Sequence, residues 1–155
     1  MIDETPTKAL VIRLATPEDI VHIEQLDSFS ASPTRDIHRD MEKYFGSIDP
    51  STHEHTDIFL VEINGVPCAK AELMLPPADS NQTTGYVKRV IVHPDYRGRG
   101  LARLLMQHII DFAHTERKLA AIDLHVWEGN HSAIHLYESL GFSLKHRELY
   151  YRLKI

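Results

Sequence analysis

Two hydrophobic rhythms alternate along the chain, and the points where one yields to the other divide it into elements. Lys8 to Leu14 reads KALVIRL, a β-rich run. Thr16-Pro17-Glu18-Asp19 follows with the signature of a helix start: Thr as cap, Pro at the first position, acids in the first turn. Ile20, Ile23, Leu26 and Phe29 give that helix an apolar face, and Ser32-Pro33 opens a second helix through about Phe45, with Ile37, Met41 and Phe45 at four-residue steps. The polar, acidic stretch 46–56 predicts a loop. Asp57 to Ile63, Asn64-Gly65 and Val66 to Leu75 predict a hairpin, because Asn-Gly supplies the two positive-φ residues of a type I′ turn. After a loop over 76–84, Gly85 to Val92 predicts a strand, antiparallel to its predecessor by the short connection.

The β-branched run Val90, Ile91, Val92 is broken by His93-Pro94, since the residue before proline avoids the helical region. Leu101, Leu104, Leu105, Ile109 and Phe112 then recur at helical spacing through about His114. Ala120 to Val126 predicts a strand reached through a helix, hence parallel to the Val90 strand. Asn130 is placed to cap a further helix through Leu140 that stops at Gly141, and Phe142 to His146 and Leu149 to Leu153 predict two late strands joined by a tight turn. The order β-α-α-β-β-β-α-β-α-β-β describes an α/β sandwich: a mixed, largely antiparallel central sheet flanked by helices. Its two central parallel strands, each followed by a helix, should splay at their carboxyl ends, where ligands bind in open sheets.

At 155 residues, 43% apolar and 25% charged, the chain has the size and composition of a single globular domain over 1–155, with 1–7 expected as a flexible tail. No apolar stretch reaches the length of a membrane span, and the polar, acidic start Met1 to Pro6 is unlike a secretory signal, so a cytoplasmic location and no membrane partner are expected. The lone Cys68, inside a predicted strand, reads as core filler. A formal charge of −5 disfavours a basic nucleic-acid binder, and no aromatic platform stands near the arginines, so no nucleic-acid partner is expected. The charge is uneven. Lys88, Arg89, Arg97, Arg99 and Arg103 face only Asp95 between 88 and 103, whereas 18–62 holds eleven acids against Arg35, Arg39 and Lys43. Single charges of this kind are usually solvated helix faces; together they fit an anionic ligand and a cationic one meeting on one chain.

The bend Arg97-Gly98-Arg99-Gly100-Leu101-Ala102 joins the Val90 strand to a helix start. Such a start leaves about four amides unpartnered and carries roughly half a positive charge, and glycines there admit an anion. Taken alone, the bend is also compatible with an arginine-rich turn that caps a helix. A Walker loop would need Lys-Ser/Thr where Leu101-Ala102 stands, and a dinucleotide loop would need glycine at Arg103. What remains, Arg-x-x-Gly-x-Gly, resembles the acetyl-CoA pyrophosphate loop of the GNAT N-acetyltransferase superfamily. Asn130-x-x-Ala133-x-x-x-Tyr137-x-x-x-Gly141-Phe142 resembles the same family's motif around its last long helix. The two together cover Val90 to Phe142, about a third of the chain.

The resemblance implies the GNAT fold and an acetyl-CoA-dependent N-acetyltransferase, with acetyl-CoA as co-substrate and no metal. It implies that Val90, Ile91 and Val92 pair their backbone with the pantetheine arm. Amides of the bend would hold the pyrophosphate, Asn130 and Ala133 would lie along the same arm, and Tyr137 would be the general acid. The acceptor would be a small-molecule or peptide amine, and the acidic excess of 18–62 points to a cationic one that docks beside the two early helices and the loop to Thr56. For the base, His125 comes first: it alternates with Leu124 and Val126, sharing a face with Asp123 and Trp127, and it matches the base position of the subgroup that acetylates ribosomal-protein N-termini, with histidine here in place of glutamate. Glu72 is the alternative. Against these stand structural roles: Asn130 as a helix cap, Tyr137 packing with Ile134 and Leu140, His125 satisfied beside the sheet. His53-Glu54-His55 and the pair His131/His135 invite a metal reading, but no cysteine or nearby acid completes a site with His131 and His135, so no metal is expected. The competing function is a non-catalytic acyl-CoA-binding module that uses its acceptor face to sense or bind a partner. A homodimer is left open.

Overall fold

The structure, a computed structural model, describes residues 9–46 and 54–155. Its sheet grows from the Asn64-Gly65 turn. Both residues have positive φ (52° and 78°), the type I′ arrangement whose twist matches that of the strands it joins, here β2 (Thr56–Ile63) and β3 (Val66–Met74). Asn64 also holds the start of β1 (Leu10–Leu14): its N–H donates to the Ala9 carbonyl at 2.9 Å and its Oδ1 accepts from the Ala9 N–H at 3.0 Å. β4 (Thr84–Val92) pairs antiparallel with β3, and β5 (Ala121–Asp123) pairs parallel with β4, so the sheet order is β1-β2-β3-β4-β5. These are the mixed, largely antiparallel sheet and the parallel strand pair expected from sequence.

Strand alternation divides the core. On one face Ile58 and Leu60 pack with Ile20, Ile23 and Leu26 of α1 (Ile20–Asp27), with Ile37, and with Tyr44 of α2 (Met41–Phe45). On the other, Phe59 is fully buried and meets the rings of His108 and Phe112 edge-on from α3 (Leu101–Thr115). Ion pairs tie the layers. Arg13 of β1 reaches Asp19 at 2.7 Å and Glu62 of β2 at 2.5 Å. Past the end of α3, Arg117 grips both oxygens of the buried Asp57 at 2.7 and 2.8 Å, and His55 Nε2 lies 3.0 Å from the same carboxylate.

Three expectations from sequence are corrected. The second helix is broken: the chain is irregular over 33–36, turns once in a 3₁₀ helix at Ile37–Arg39 capped by Asp36, and becomes α2 only after Asp40, whose φ of −126° and ψ of 35° interrupt the helix. Arg35 is drawn inward to charged partners, which removes the first turn from any regular helix. α1 ends at Asp27, so Phe29 lies beyond it, with its ring 4.8 Å from that of His93. Finally, 142–155 holds no strand: its apolar residues Leu144, Leu149, Tyr151 and Leu153 are exposed, and among the described residues no strand pairs with its backbone. The N-terminal tail 1–7 and His53 lie outside the described residues.

Residues 126–155 form a second compact unit, described by itself. Its helix α4 (His131–Ser139) starts at Asn130, whose Oδ1 accepts from the Ala133 N–H at 3.2 Å, and the chain turns out of it at Gly141 with φ of 102°. Among the described residues no helix is long and apolar enough to cross a membrane.

Several carboxylates titrate low in the folded chain. The hydrogen bond from Arg13 holds Asp19 down to about 2; burial works against the charge of Asp57, but His55 and Arg117 outweigh it and keep that group below its usual range. The unfolded chain therefore binds protons more readily in acid. The stabilisation is complete above about pH 5 and is lost as pH falls through about 4 toward 2. Urea midpoints measured between pH 5 and pH 3 should drop steadily, and Asp57→Asn should flatten that drop while lowering the midpoint at pH 6.

Candidate active site

β4 and β5 share only three register pairs, Thr84↔Ala121, Gly85↔Ile122 and Tyr86↔Asp123. Beyond Tyr86 the strands part, and 87–92 of β4 keep β3 on one side with no strand on the other among the described residues. This is the splay expected from the strand–helix pattern. Along the free stretch β4 bulges: the register against β3 slips between Lys70 and Glu72, and Arg89 adopts a left-handed φ of 52°. Val90 and Val92 are half-buried and Ile91 is buried.

The bend follows a 3₁₀ turn at Pro94–Tyr96, in which His93 Nδ1 accepts from the Asp95 N–H at 3.1 Å. Gly98 and Gly100 both lie in the left-handed region, at φ of 76° and 75°, and a Cβ on either would meet no atom within 4 Å. An ordinary residue there costs about 1–2 kcal/mol, so the sequence has glycine where the backbone needs it and where an approaching group meets no side chain. The first bond of α3, Leu104 N–H to Gly100 O at 3.2 Å, leaves the preceding amides without a helical acceptor. Arg97 Nε donates to Val92 O, and Arg99 stacks over the Tyr96 ring at 5.0 Å and donates to Asp95 O. Leu101 is buried and Ala102 half-buried, which anchors the helix start. An open depression of about 360 Å³, lined by Ile63, Asn64, Val66, Asp95, Tyr96 and Arg99, adjoins the bend.

The face of the sheet that carries α1 and α2 holds the candidate bases. His125 is exposed, and its Nδ1 lies 2.6 Å from the Tyr86 hydroxyl, with the rings 5.5 Å apart. Tyr86 is not among the candidates that the sequence offers; the strand expected through Val126 ends at Asp123, opposite Tyr86, so His125 lies beyond β5 and meets Tyr86 by direct side-chain contact. Glu72 is fully buried, with both carboxylate oxygens engaged. Arg35 donates to it from two nitrogens, one at 2.6 Å, and Lys70 Nζ donates at 2.5 Å. Burial alone would raise its pKa, yet Arg35 and Lys70 hold it below the usual range, so it takes a proton reluctantly at neutral pH.

Arg35 also donates to Asp27 and to the Tyr44 hydroxyl, Lys70 donates to Asp27 at 2.8 Å, and Arg89 lies 3.6 Å from Asp27. The acidic excess of 18–62 is thus partly consumed inside the fold: Asp19, Asp27, Asp57 and Glu62 all pair with cations from elsewhere in the chain. In the second unit, Asn130 caps α4, Ala133 is half-buried, and Tyr137 meets Phe142 edge-on at 5.8 Å. Burial pushes the Tyr137 phenol up, which keeps its proton in place at neutral pH.

A strand that loses its neighbour, a glycine bend at a helix start and a mixed sheet are the shared frame of one large family, and the comparisons agree. The sequence model of the Acetyltransferase (GNAT) family matches residues 18–142, and the chain belongs to that family. It is 29% identical to the spermidine N(1)-acetyltransferase of Escherichia coli K12 over 134 residues, 83% of this chain and 69% of that enzyme. It is 46% identical to the [ribosomal protein bS18]-alanine N-acetyltransferase of Salmonella typhimurium over 54 residues, 35% of this chain, and that match spans about a third of the enzyme (36%). Among solved structures, the aminoglycoside N-acetyltransferase AAC(6')-Iy in complex with CoA superposes with a TM-score of 0.74 at 18% identity, covering 97% of this chain and 99% of its own. The ribosomal-protein-S18-alanine N-acetyltransferase of Escherichia coli gives 0.70 at 24%, covering 89% and 80%.

The buried network yields a direct expectation. Glu72→Gln leaves Arg35 and Lys70 charged and short of an anion, and breaking a buried pair in this way costs about 3–5 kcal/mol. Chemical denaturation should show a loss of that size, with the midpoint falling and the slope unchanged.

Proposed function

We propose that the protein transfers the acetyl group of acetyl-CoA to a primary amine by direct attack. The observation that carries this reading is the run from the unpaired edge of β4 into the Gly98–Gly100 bend, which offers strand amides and carbonyls and then helix-start amides in sequence. Val90, Ile91 and Val92 pair with the amides of the pantetheine arm as a neighbouring strand would, and the amides of 97–102, with the Arg97 and Arg99 side chains beside them, receive the pyrophosphate. By resemblance to the family's motif, Asn130 and Ala133 are assigned to the same arm. The relatives named above act on spermidine and on an alanine of a ribosomal protein, which agree in presenting an amine.

The chemistry sets what the side chains must do. An alkylammonium has a pKa near 10.4, so at neutral pH only about one molecule in a few thousand can attack. His125 takes the proton. When its Nδ1–H donates to Tyr86 Oη, Nε2 is the nitrogen that accepts the proton, and Tyr86 acts as the orienting partner. The amine nitrogen bonds to the thioester carbonyl carbon, the C–S bond breaks, and Tyr137 gives its proton to the departing sulfur. Glu72, locked between Arg35 and Lys70, serves the architecture of the face and leaves the base role to His125.

Gly100→Val forces a β-branched residue into a left-handed position and closes the approach to the amides. Calorimetry should show CoA affinity lower by about tenfold or more, with the circular dichroism spectrum unchanged; unchanged affinity removes the bend from the site. CoA binding without transfer to any amine leaves the acyl-CoA-binding module as the better reading.

Tyr137→Phe keeps the ring and removes the acid. Donation predicts kcat lower by about 10²–10⁴-fold with CoA affinity little changed, whereas packing predicts ordinary turnover. His125→Gln should flatten the acidic limb of the pH–rate profile, and a retained limb would sink the base assignment.

A further inference from the structure

Lys88 is the cation of this face that the ion pairs leave over. It stands on β4 opposite Glu72 of β3 and two residues from Tyr86, hence on the face that carries His125, at the first position of that face after β5 departs. Its side chain is half-buried. Among the described residues no carboxylate lies within ion-pair distance of its Nζ, whose one polar contact is the Met74 sulfur at 4.0 Å. The nearby acids are committed: Glu72 to Arg35 and Lys70, Asp27 to Arg35, Lys70 and Arg89. Three cations, Arg35, Lys70 and Arg89, thus take up the two carboxylates, and Lys88 is paired with neither.

That imbalance is costly as it stands. Burial lowers the Lys88 pKa, Glu72 offsets part of this, and Lys43, Arg35 and Arg89 push it further down. An ammonium withdrawn from water without a counter-ion gains from any anion that reaches it, and a charge-assisted hydrogen bond formed there is stronger than one in open solvent. The place where it waits is where an acceptor must come, beside the β4 bulge and on the His125 face.

We propose that Lys88 receives an anionic group, a carboxylate or a phosphate, carried by the acceptor amine. This deepens the acetyl-transfer reading and rests on it only for what the bound amine is used for. The acceptor is then a zwitterion, an ammonium and an anion a few bonds apart. The cations around Lys88 also disfavour a second ammonium at the reacting nitrogen, which favours the neutral amine that attacks.

The test uses matched amines on the full chain saturated with CoA, so that the pyrophosphate site is already filled. O-phosphoethanolamine is compared with ethanolamine, and β-alanine with β-alaninamide, by isothermal titration. The expected result is binding at least ~10-fold tighter for the anionic member of one pair or both, and the pair with the larger ratio identifies phosphate or carboxylate. Lys88→Met should erase the ratio and Lys88→Arg should keep most of it. Equal affinity within both pairs overturns the proposal, as does a ratio that survives in Lys88→Met, which would assign the anion to another cation. Acetyl transfer from acetyl-CoA is then assayed with the same amines. Selective binding with no transfer sinks the transfer reading and leaves the Lys88 site standing; transfer with no selectivity does the reverse.

Discussion

The constraint on which the site depends is that β4 has a partner on both edges for only three residues. Backbone amides and carbonyls withdrawn from water need hydrogen bonds, and among the described residues those from Val87 to Val92 have a neighbouring strand on the β3 side alone. The connection after α3 enforces this. Ala120 donates its N–H to the carbonyl of Thr83 at 2.8 Å, and Arg117 is clamped on Asp57, so the chain enters β5 beside the beginning of β4 and pairs there first. The bulge at Arg89 and the glycine bend then follow along one continuous edge, which a ligand with alternating amides and an anionic end could complete.

Charge is handled differently on the two faces of the sheet. The face under α3 is closed by aromatic rings and ordinary aliphatics, with one buried carboxylate, Asp57, pinned from two sides. The face under α1 and α2 admits Lys70 and Glu72 into its centre at full burial. A buried pair of this kind seldom adds net stability over an apolar equivalent. Its effect here is positional: Arg35 spans Asp27 at the end of α1, Tyr44 in α2 and Glu72 in β3, which fixes the irregular 33–36 segment against the sheet.

Periodicity and turn chemistry made most of the sheet legible in the sequence. The Asn64-Gly65 turn, the bend at Gly98 and Gly100 and the length of α3 follow from local rules, because each depends on residues within a few positions of one another. What sequence did not disclose are the contacts that need register. Tyr86 meets His125 across 39 positions and Arg35 meets Glu72 across 37, and neither spacing leaves a mark on a linear reading. The second helix was misjudged for the same reason: Ile37, Met41 and Phe45 keep helical spacing, yet the long-range demand on Arg35 and the conformation of Asp40 outweigh it. The acidic excess of 18–62 looked like a surface field, whereas Arg13, Lys70 and Arg117, all outside that window, neutralise much of it.

The Asp27–Arg35–Lys70–Glu72 cluster also bears on how such a chain can diverge. Each member satisfies at least two others, so a neutral replacement at any one leaves a buried charge uncompensated, and the effects of two replacements will not add. Lineages carrying this network can change this face only through positions outside it, such as those on β4 and β5 at the mouth of the splay, or through coordinated multiple exchanges. The network thus acts as an epistatic lock on the floor of the face under α1 and α2, and leaves its rim free to change.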